Sequence, residues 1–335
     1  MTGFAQQVYG VRIVAVIPAY NVADHIGAVL NSLPDWFTAA IVVEDASTDG
    51  TASVVARFAA ADSRIEIIRH VRNRGVGGAM ISGFQRALEL GGDVIVKVDG
   101  DGQMPLALAH RLVQPLLTGE ADYTKGNRFR DLSAIRTMPA VRRLGNVALS
   151  FLAKAATGYW DCFDPANGFV AIRGDVLARL PLKNIDPTYF FEISMLSHLY
   201  LLGAVVREVS MPARYEGEPS SLSIPWVLGA FPGRLIAAFL RRLVLRNFIY
   251  DMRIESLQLV LGLPLLVAGA LYGGYHWYSF GKRHVAAPTG TIVLSALMII
   301  LGAQLLLAAI SLDLQSVPTQ PINGGPVGQP EPDDA

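Results

Sequence analysis

Read for the spacing of apolar and polar positions, the first two hundred residues alternate between short apolar runs and helical periodicities. Val11–Ile17 is an apolar run closed by Pro18, followed by a helical stretch from about Val22 to Leu33. Ala39–Val43 predicts a second strand and Thr51–Ala61 a helix. Ile65–Ile68 predicts a third strand and Gly77–Leu90 a helix, and Val94–Val98 predicts a fourth strand. Strands separated by helices of this length predict an α/β domain with a mostly parallel sheet covered on both faces. Ligands of such sheets bind beyond the carboxyl ends of the strands. The chain places Asp45, Asp99 and Asp101 at such ends.

The pattern changes after residue 225. Phe231–Tyr250 mixes arginines with Phe, Leu, Ile and Tyr at helical spacing. It predicts a helix in the membrane interface with its arginines toward lipid headgroups; the alternative is an ordinary amphipathic helix docked on the domain. Leu257–Phe280 and Ala286–Leu312 then run 24 and 27 residues without a formal charge. At about 1.5 Å per residue, each is long enough to cross a hydrocarbon core of about 30 Å. Buried core helices are the alternative, but such helices rarely stay uncharged for so long. From Gln315 onward Pro, Gly, Asn and acids dominate, which predicts a disordered tail. The expected organisation is an α/β domain over 1–225, a juxtamembrane amphipathic region over 226–256, two transmembrane helices over 257–312 and a disordered tail over 313–335.

Composition supports this picture. The chain has 335 residues and is 52% hydrophobic, high for a soluble protein. Its 28 basic and 28 acidic residues cancel, which argues against a nucleic-acid binder. The single cysteine, Cys162, excludes an internal disulfide and fits a reducing compartment. Met1–Tyr9 is polar, so no cleaved signal is expected. Arg234, Arg241, Arg242, Arg246 and Arg253 precede the first apolar segment, and Lys282, Arg283 and His284 lie between the two. The basic excess ahead of the first span predicts a cytoplasmic N-terminal domain, and two spans return the tail to the same side.

The candidate chemistry centres on Val98-Asp99-Gly100-Asp101-Gly102-Gln103. On a strand end, carboxylates two positions apart can converge on one hard cation, and Mg²⁺ or Mn²⁺ often shares such oxygens with a substrate diphosphate. A solvated acidic turn is the plain alternative. Three further segments weigh against it: Ile17-Pro18-Ala19-Tyr20-Asn21, Glu44-Asp45-Ala46-Ser47-Thr48-Asp49-Gly50-Thr51, and Asn73-Arg74-Gly75-Val76-Gly77-Gly78-Ala79. The last does not match the dinucleotide pattern Gly-x-Gly-x-x-Gly and follows the third strand rather than the first.

Together the four segments resemble the family 2 glycosyltransferases with a GT-A fold, over roughly residues 11–215. Within that family the chain is most similar to polyprenyl-phosphate sugar synthases of the dolichyl-phosphate mannose synthase type. The resemblance implies a nucleotide-diphospho-sugar transferase domain, here followed by an interfacial helix and two C-terminal transmembrane helices. It implies that Pro18, Tyr20, Asn21 and Asp45 serve the nucleotide-sugar donor, with a turn or helix-cap aspartate as the alternative for Asp45. Ser47 and Asp49 are expected to shape the turn and cap the next helix. Asn73, Gly75 and Gly77 would let backbone pass close to the donor at a helix N-terminus. Asp99, Asp101 and Gln103 would hold Mg²⁺ or Mn²⁺ against the diphosphate.

On the acceptor side, Lys125-Gly126-Asn127-Arg128 ends the next strand. Relatives carry Gly-Ser-Arg there, so Asn127 is a departure, and Arg128 would face a phosphate. A helix from about Pro139 would put Arg142 and Asn146 on one face. With Arg143 they are candidates for the acceptor phosphate, the alternative being surface arginines. Asp161-Cys162-Phe163-Asp164-Pro165-Ala166-Asn167-Gly168-Phe169 resembles the family's Asp-x-x-x-Gly-Phe segment beside the sugar pocket, where Asp164 or Asp161 would bond donor hydroxyls. Tyr189-Phe190-Phe191-Glu192 resembles the segment beneath the donor sugar, with Glu192 a candidate acid or a first-turn glutamate. Arg214 to Ser221 loosely matches an Arg-x-x-Gly-x-Ser loop. Asp101, Asp164, Glu192 and Arg128 are thus the catalytic candidates.

The expected reaction is inverting transfer of a hexose from a nucleotide sugar to a polyprenyl phosphate, which is already anionic and needs no general base. The alternatives are transfer to a sugar hydroxyl of a lipid-linked glycan, which needs a carboxylate base such as Asp161, Asp164 or Glu192, and a non-catalytic membrane scaffold. Two spans offer little for a polymer channel, and no Gln-x-x-Arg-Trp signature is present. Expected partners are the donor, the lipid acceptor and membrane lipids, in a bacterial inner membrane. A homo-oligomer is compatible with two spans but not demanded.

Overall fold

The structure, a computed structural model, describes residues 4, 7–127, 140–211 and 224–327; side chains of 140–148 and 224–230 lie outside that description. The chain divides into two compact units. The first comprises Met1–Phe239 together with the segment from Pro318 onward, and the second is Leu240–Val317.

The first unit opens with β1 (Ile13–Ala19), α1 (Ala23–Asn31), β2 (Ala39–Glu44), α2 (Thr51–Ala61), β3 (Ile65–Arg69), α3 (Gly75–Glu89) and β4 (Val94–Lys97). It continues through α4 (Ala109–Leu117), β5 (Tyr123–Asn127), α5 (Ala140–Thr157), β6 (Val170–Arg173), α6 (Gly174–Arg179), α7 (Phe191–Leu202), β7 (Val206–Ser210) and α8 (Ile224–Val244), whose last residues belong to the second unit. Seven strands form one sheet in the order β3-β2-β1-β4-β6-β5-β7. All its pairings are parallel except those of β6, which runs antiparallel to β4 and β5. The near-continuous burial of β1, β2 and β4 fits strands covered on both faces.

Sheet order reverses at β1, which lies between β2 and β4, and this is where such sheets open a ligand crevice at their carboxyl edge. Pro18 does not end β1 as the apolar run suggested; the strand continues to Ala19. Pairing with β4 stops at Val16 opposite Lys97, so the amide hydrogen that proline lacks is not needed on that side.

The expected disordered tail is corrected as far as Val327; residues 328–335 lie outside the described residues. Ile322 N donates to both oxygens of the fully buried Asp122 carboxylate (3.2 and 3.0 Å), Arg173 Nη1 donates to Gly325 O (2.9 Å), and Val327 N donates to Leu117 O (3.2 Å). The segment from Pro318 to Val327 is therefore a strap on the first unit. Composition missed it because backbone groups, rather than its few apolar side chains, make most of these contacts.

The second unit holds α9 (Ile254–Lys282) and α10 (Thr289–Gln315), both long and apolar enough to cross a membrane. Their boundaries extend beyond the expected 257–312. Only 17% and 11% of their most apolar windows are buried, unlike the core helices of a soluble domain. They pack closely: a Cβ on Gly302 would come within 2.5 Å of Leu266 N. Arg242 and Arg246, expected to face headgroups, instead donate to the Asp313 carboxylate at 2.7 and 2.8 Å. In the first unit Arg234 donates to Thr188 Oγ1 (2.7 Å) and Asp186 Oδ2 (3.3 Å). These arginines have protein partners because, within each unit, acidic side chains distant in sequence fold back onto them.

Candidate active site

The loops after β1 and β2 are laced together. Thr48 N donates to Asn21 Oδ1 (2.9 Å), Asn21 N donates to Ser47 Oγ (3.2 Å), and Asp49 accepts from Ala23 N (3.1 Å) and Thr51 N (2.9 Å). Asn21 and Ala46 take left-handed backbone angles there, φ 52° and 58°. Asn21, expected on the donor, thus has its side-chain oxygen committed to the loop. Tyr20 stands exposed beside it, and the Pro18 carbonyl lies against Gly100 of the acidic turn.

Asp45 is buried, and its carboxylate is fully engaged. His70 Nδ1 lies 2.6 Å from Oδ1, Arg74 N donates to both oxygens (2.9 and 3.1 Å), and Gly75 N donates to Oδ2 (2.9 Å). Asn73 Oδ1 closes a local turn by accepting from Gly75 N at 2.9 Å. The glycines are also reassigned. A Cβ on Gly75 would meet Pro187 O at 2.8 Å, and one on Gly77 would meet Asp186 O at 2.4 Å. Their close neighbour is the protein's own Asp186–Pro187 backbone, whose Pro187 O accepts from Gly78 N (2.9 Å). Asp45, Asn73, Gly75 and Gly77, the residues expected on the donor, thus form one hydrogen-bonded loop that fixes the approach to α7.

That approach ends at Glu192, in the first turn of α7. Lys97, the last residue of β4, is buried with 2% of its side chain exposed, and its Nζ lies 2.9 Å from Asp99 Oδ1 and 2.9 Å from Glu192 Oε1. Burial opposes the charge on this ammonium, but the two carboxylates outweigh it and hold its pKa above that of an ordinary lysine. Asp99 retains 31% exposure and Glu192 12%. Asp101 Oδ1 accepts from Gln103 N (3.0 Å), and Gln103 is exposed. Sequence reasoning missed Lys97; the signal was a lone lysine at the end of an otherwise apolar strand.

Asp164, expected beside the donor hydroxyls, is buried in its own turn. Its residue is 2% exposed, and its Oδ2 accepts from Asn167 Nδ2 (3.2 Å). Glu208, also missed, organises this turn: its Oε1 accepts from Phe163 N (2.7 Å), Asp164 N (2.8 Å) and the Cys162 thiol (3.3 Å). Asn127 Nδ2 donates to its Oε2, a partner for the residue that departs from the family pattern. Burial pushes the Cys162 thiol well above its usual pKa. Lys125 Nζ donates to Asn167 O, and burial lowers its pKa. Asp161 is exposed, with its pKa raised by partial desolvation. Arg128 and residues 214–221 lie outside the described residues. So do the side chains of Arg142, Arg143 and Asn146, though α5 does carry these three along one helix.

The carboxyl edge of the parallel strands, with Asp99 and Asp101 after β4, defines a GT-A nucleotide-diphospho-sugar transferase fold. Residues 14–180 match the profile described as glycosyl transferase family 2. The chain is 31% identical over 158 residues to the UDP-N-acetylglucosamine–dolichyl-phosphate N-acetylglucosaminyltransferase of Methanococcus voltae, covering 43% of this chain and 63% of that protein. It is 31% identical over 201 residues to the undecaprenyl-phosphate mannosyltransferase of Micrococcus luteus, covering 59% of this chain and 82% of that protein. The chain thus spans under two thirds of the length of the first of these and more of the second. Glucosyl-3-phosphoglycerate synthase from Mycobacterium tuberculosis, solved with UDP, superposes with a TM-score of 0.54 at 25% identity, covering 72% of this chain and 83% of that one. The chain belongs to the family 2 glycosyltransferases, and it is similar to their polyprenyl-phosphate sugar transferases.

Proposed function

We propose that the protein is a membrane-anchored, inverting glycosyltransferase that moves a hexose from a nucleotide sugar to a polyprenyl phosphate. The observation that carries this reading is the joining of an acidic GT-A edge to a two-helix apolar hairpin whose chain re-enters the catalytic unit as a strap. The names of the Methanococcus and Micrococcus relatives support the same acceptor class.

Among the described residues no three His, Cys, Asp or Glu side chains form a cluster able to cage a metal. Asp99 and Asp101 fit a cation that shares its ligands with a diphosphate instead, and Gln103 is close enough in sequence to join them. When bound, Mg²⁺ or Mn²⁺ would offset charge on the departing nucleoside diphosphate. Asp99 and Asp101 orient the donor at the β4 edge, and Glu192 shares Lys97 with Asp99. A phosphate monoester carries its own negative charge at neutral pH, so its oxygen attacks the anomeric carbon without a base. Arg128, Arg142, Arg143 and Asn146 are proposed to hold that phosphate.

A sugar hydroxyl as acceptor is the second reading, with the exposed Asp161 as its candidate base. Against it, Asp164 is buried and one oxygen of Glu192 is occupied by Lys97.

The arginines ahead of α9 support a cytoplasmic catalytic unit, and a bacterial inner membrane is the proposed location. The proposed division of labour is catalysis by 1–239 with the strap, and membrane anchoring by 240–317. The test is purified full-length protein in nanodiscs with undecaprenyl phosphate or a lipid-linked oligosaccharide, and radiolabelled UDP-glucose, UDP-N-acetylglucosamine and GDP-mannose. A sugar-phosphoryl-lipid product is expected from one donor. Transfer only onto a lipid-linked glycan would overturn the reading.

A further inference from the structure

The proposed reaction assigns roles to Asp99 and Glu192 but none to the lysine between them. Lys97 is the last residue of β4, a strand whose other members are Val94, Ile95 and Val96. An apolar side chain there would continue that run at no electrostatic cost. A buried ammonium costs several kcal/mol in desolvation, recovered only with good geometry to fixed counter-charges. Lys97 has that geometry, with Asp99 Oδ1 and Glu192 Oε1 each at 2.9 Å. The two carboxylates come from segments distant in sequence, one from the turn after β4 and the other from the head of α7.

Gly168 closes the arrangement. A Cβ there would stand 2.4 Å from Lys97 Nζ and 3.0 Å from Asp99 Oδ2. Any larger residue would therefore displace the ammonium or the carboxylate. With Oδ1 held by Lys97, Asp99 Oδ2 is the oxygen left to meet a ligand, and the three charged groups together keep one net negative charge. The other buried lysine, Lys125, has a different environment: it donates to a backbone carbonyl, Asn167 O.

We propose that Lys97 is a positioning residue that clamps Asp99 and Glu192 into one orientation, so that the carboxylate meeting the donor's cation and diphosphate is set before donor arrives. This rests on the reading of Asp99 as the donor-side carboxylate. Preorganisation of this kind acts on the cation and on the transition state more than on donor affinity alone.

The test compares full-length wild type, Lys97→Met and Gly168→Ala in detergent. Mn²⁺ binding is followed by electron paramagnetic resonance at saturating UDP, alongside transferase kinetics and circular dichroism. Lys97→Met is expected to weaken Mn²⁺ about 10- to 100-fold. It should lower kcat by a similar factor with donor KM within about threefold. Gly168→Ala keeps every charge and displaces chiefly the flexible end of Lys97, with the Asp99 carboxylate giving by a few tenths of an ångström, and is expected to show the same loss in weaker form. It stands in if Lys97→Met does not fold. Wild-type Mn²⁺ affinity in Gly168→Ala and in any folded Lys97→Met, or no Mn²⁺ binding by the wild type, overturns the proposal. Lys97-dependent Mn²⁺ binding without any sugar transfer supports it while overturning the reaction proposed above.

Discussion

Glu208 is expected to be among the most consequential polar side chains outside the acidic turn. It lies in β7, half-buried, and its carboxylate gathers the Cys162–Asp164 turn onto the sheet. Phe163 N and Asp164 N donate to the same oxygen at 2.7 and 2.8 Å, the Cys162 thiol adds a third donor at 3.3 Å, and Asn127 holds the other oxygen. Hydrogen bonds to a charged acceptor contribute about 1.5–3 kcal/mol each. Water can replace the partner of the exposed Phe163 but reaches the buried Asp164 and Cys162 poorly. Glu208→Ala is therefore expected to cost about 2–4 kcal/mol, the loss of one full charged bond with partial loss of the others. Glu208→Gln keeps an acceptor oxygen but loses the charge, and should cost about 1–2 kcal/mol. Chemical denaturation of the detergent-solubilised protein, followed by tryptophan fluorescence, measures both. Trp160, two residues before Cys162, is a local reporter. Sugar transfer should fall with the turn, since Gly168, which abuts Lys97 and Asp99, follows it after Pro165, Ala166 and Asn167. A Glu208→Ala protein within about 0.5 kcal/mol of wild type, with unchanged transfer, would refute the assignment of Glu208 as the anchor of this turn.

Other consequences are equally direct. Ala46 sits at φ 58°, a left-handed conformation costing a residue with a Cβ roughly 1–2 kcal/mol; Ala46→Gly should raise stability by about 0.5–1 kcal/mol after the entropy of the unfolded glycine is counted, and a lowered melting temperature would contradict this. Burial raises the pKa of Asp122 above its ordinary value, despite the backbone donors of Val205 and Ile322. Between the unfolded and folded values the native state therefore binds more proton than the unfolded chain. The stability it contributes is full below about pH 4 and declines as pH rises through the folded value. The melting-temperature difference between wild type and Asp122→Asn should drift in that direction on titration from pH 4 upward, and a drift of opposite sign would contradict it. Chelation by EDTA is expected to abolish transfer, with Mn²⁺ or Mg²⁺ restoring it; full activity in EDTA would remove the proposed metal role.

What the sequence by itself determined is local. The period of apolar residues located the first four strands and their helices to within a residue or two at most ends, because burial on two faces demands unbroken apolar runs and a helix on one face demands a 3.6-residue spacing. The same logic found the two long apolar helices, since a charge-free run of that length has few other uses. The motifs placed Asp99 and Asp101 at the carboxyl edge because they follow directly from a strand. Tertiary structure decided the rest. Lys97 meets Glu192 across 95 positions, and the strap reaches Asp122 across 200. The antiparallel insertion of β6 puts Gly168 beside the acidic turn. Asp45 and Asn21, readable as ligand-binding from their motif, also accept hydrogen bonds from neighbouring loops that the motif does not announce. A residue's type states which bonds it can form, but only the folded chain decides which donor arrives first, because pairing across such distances depends on how the whole sheet closes.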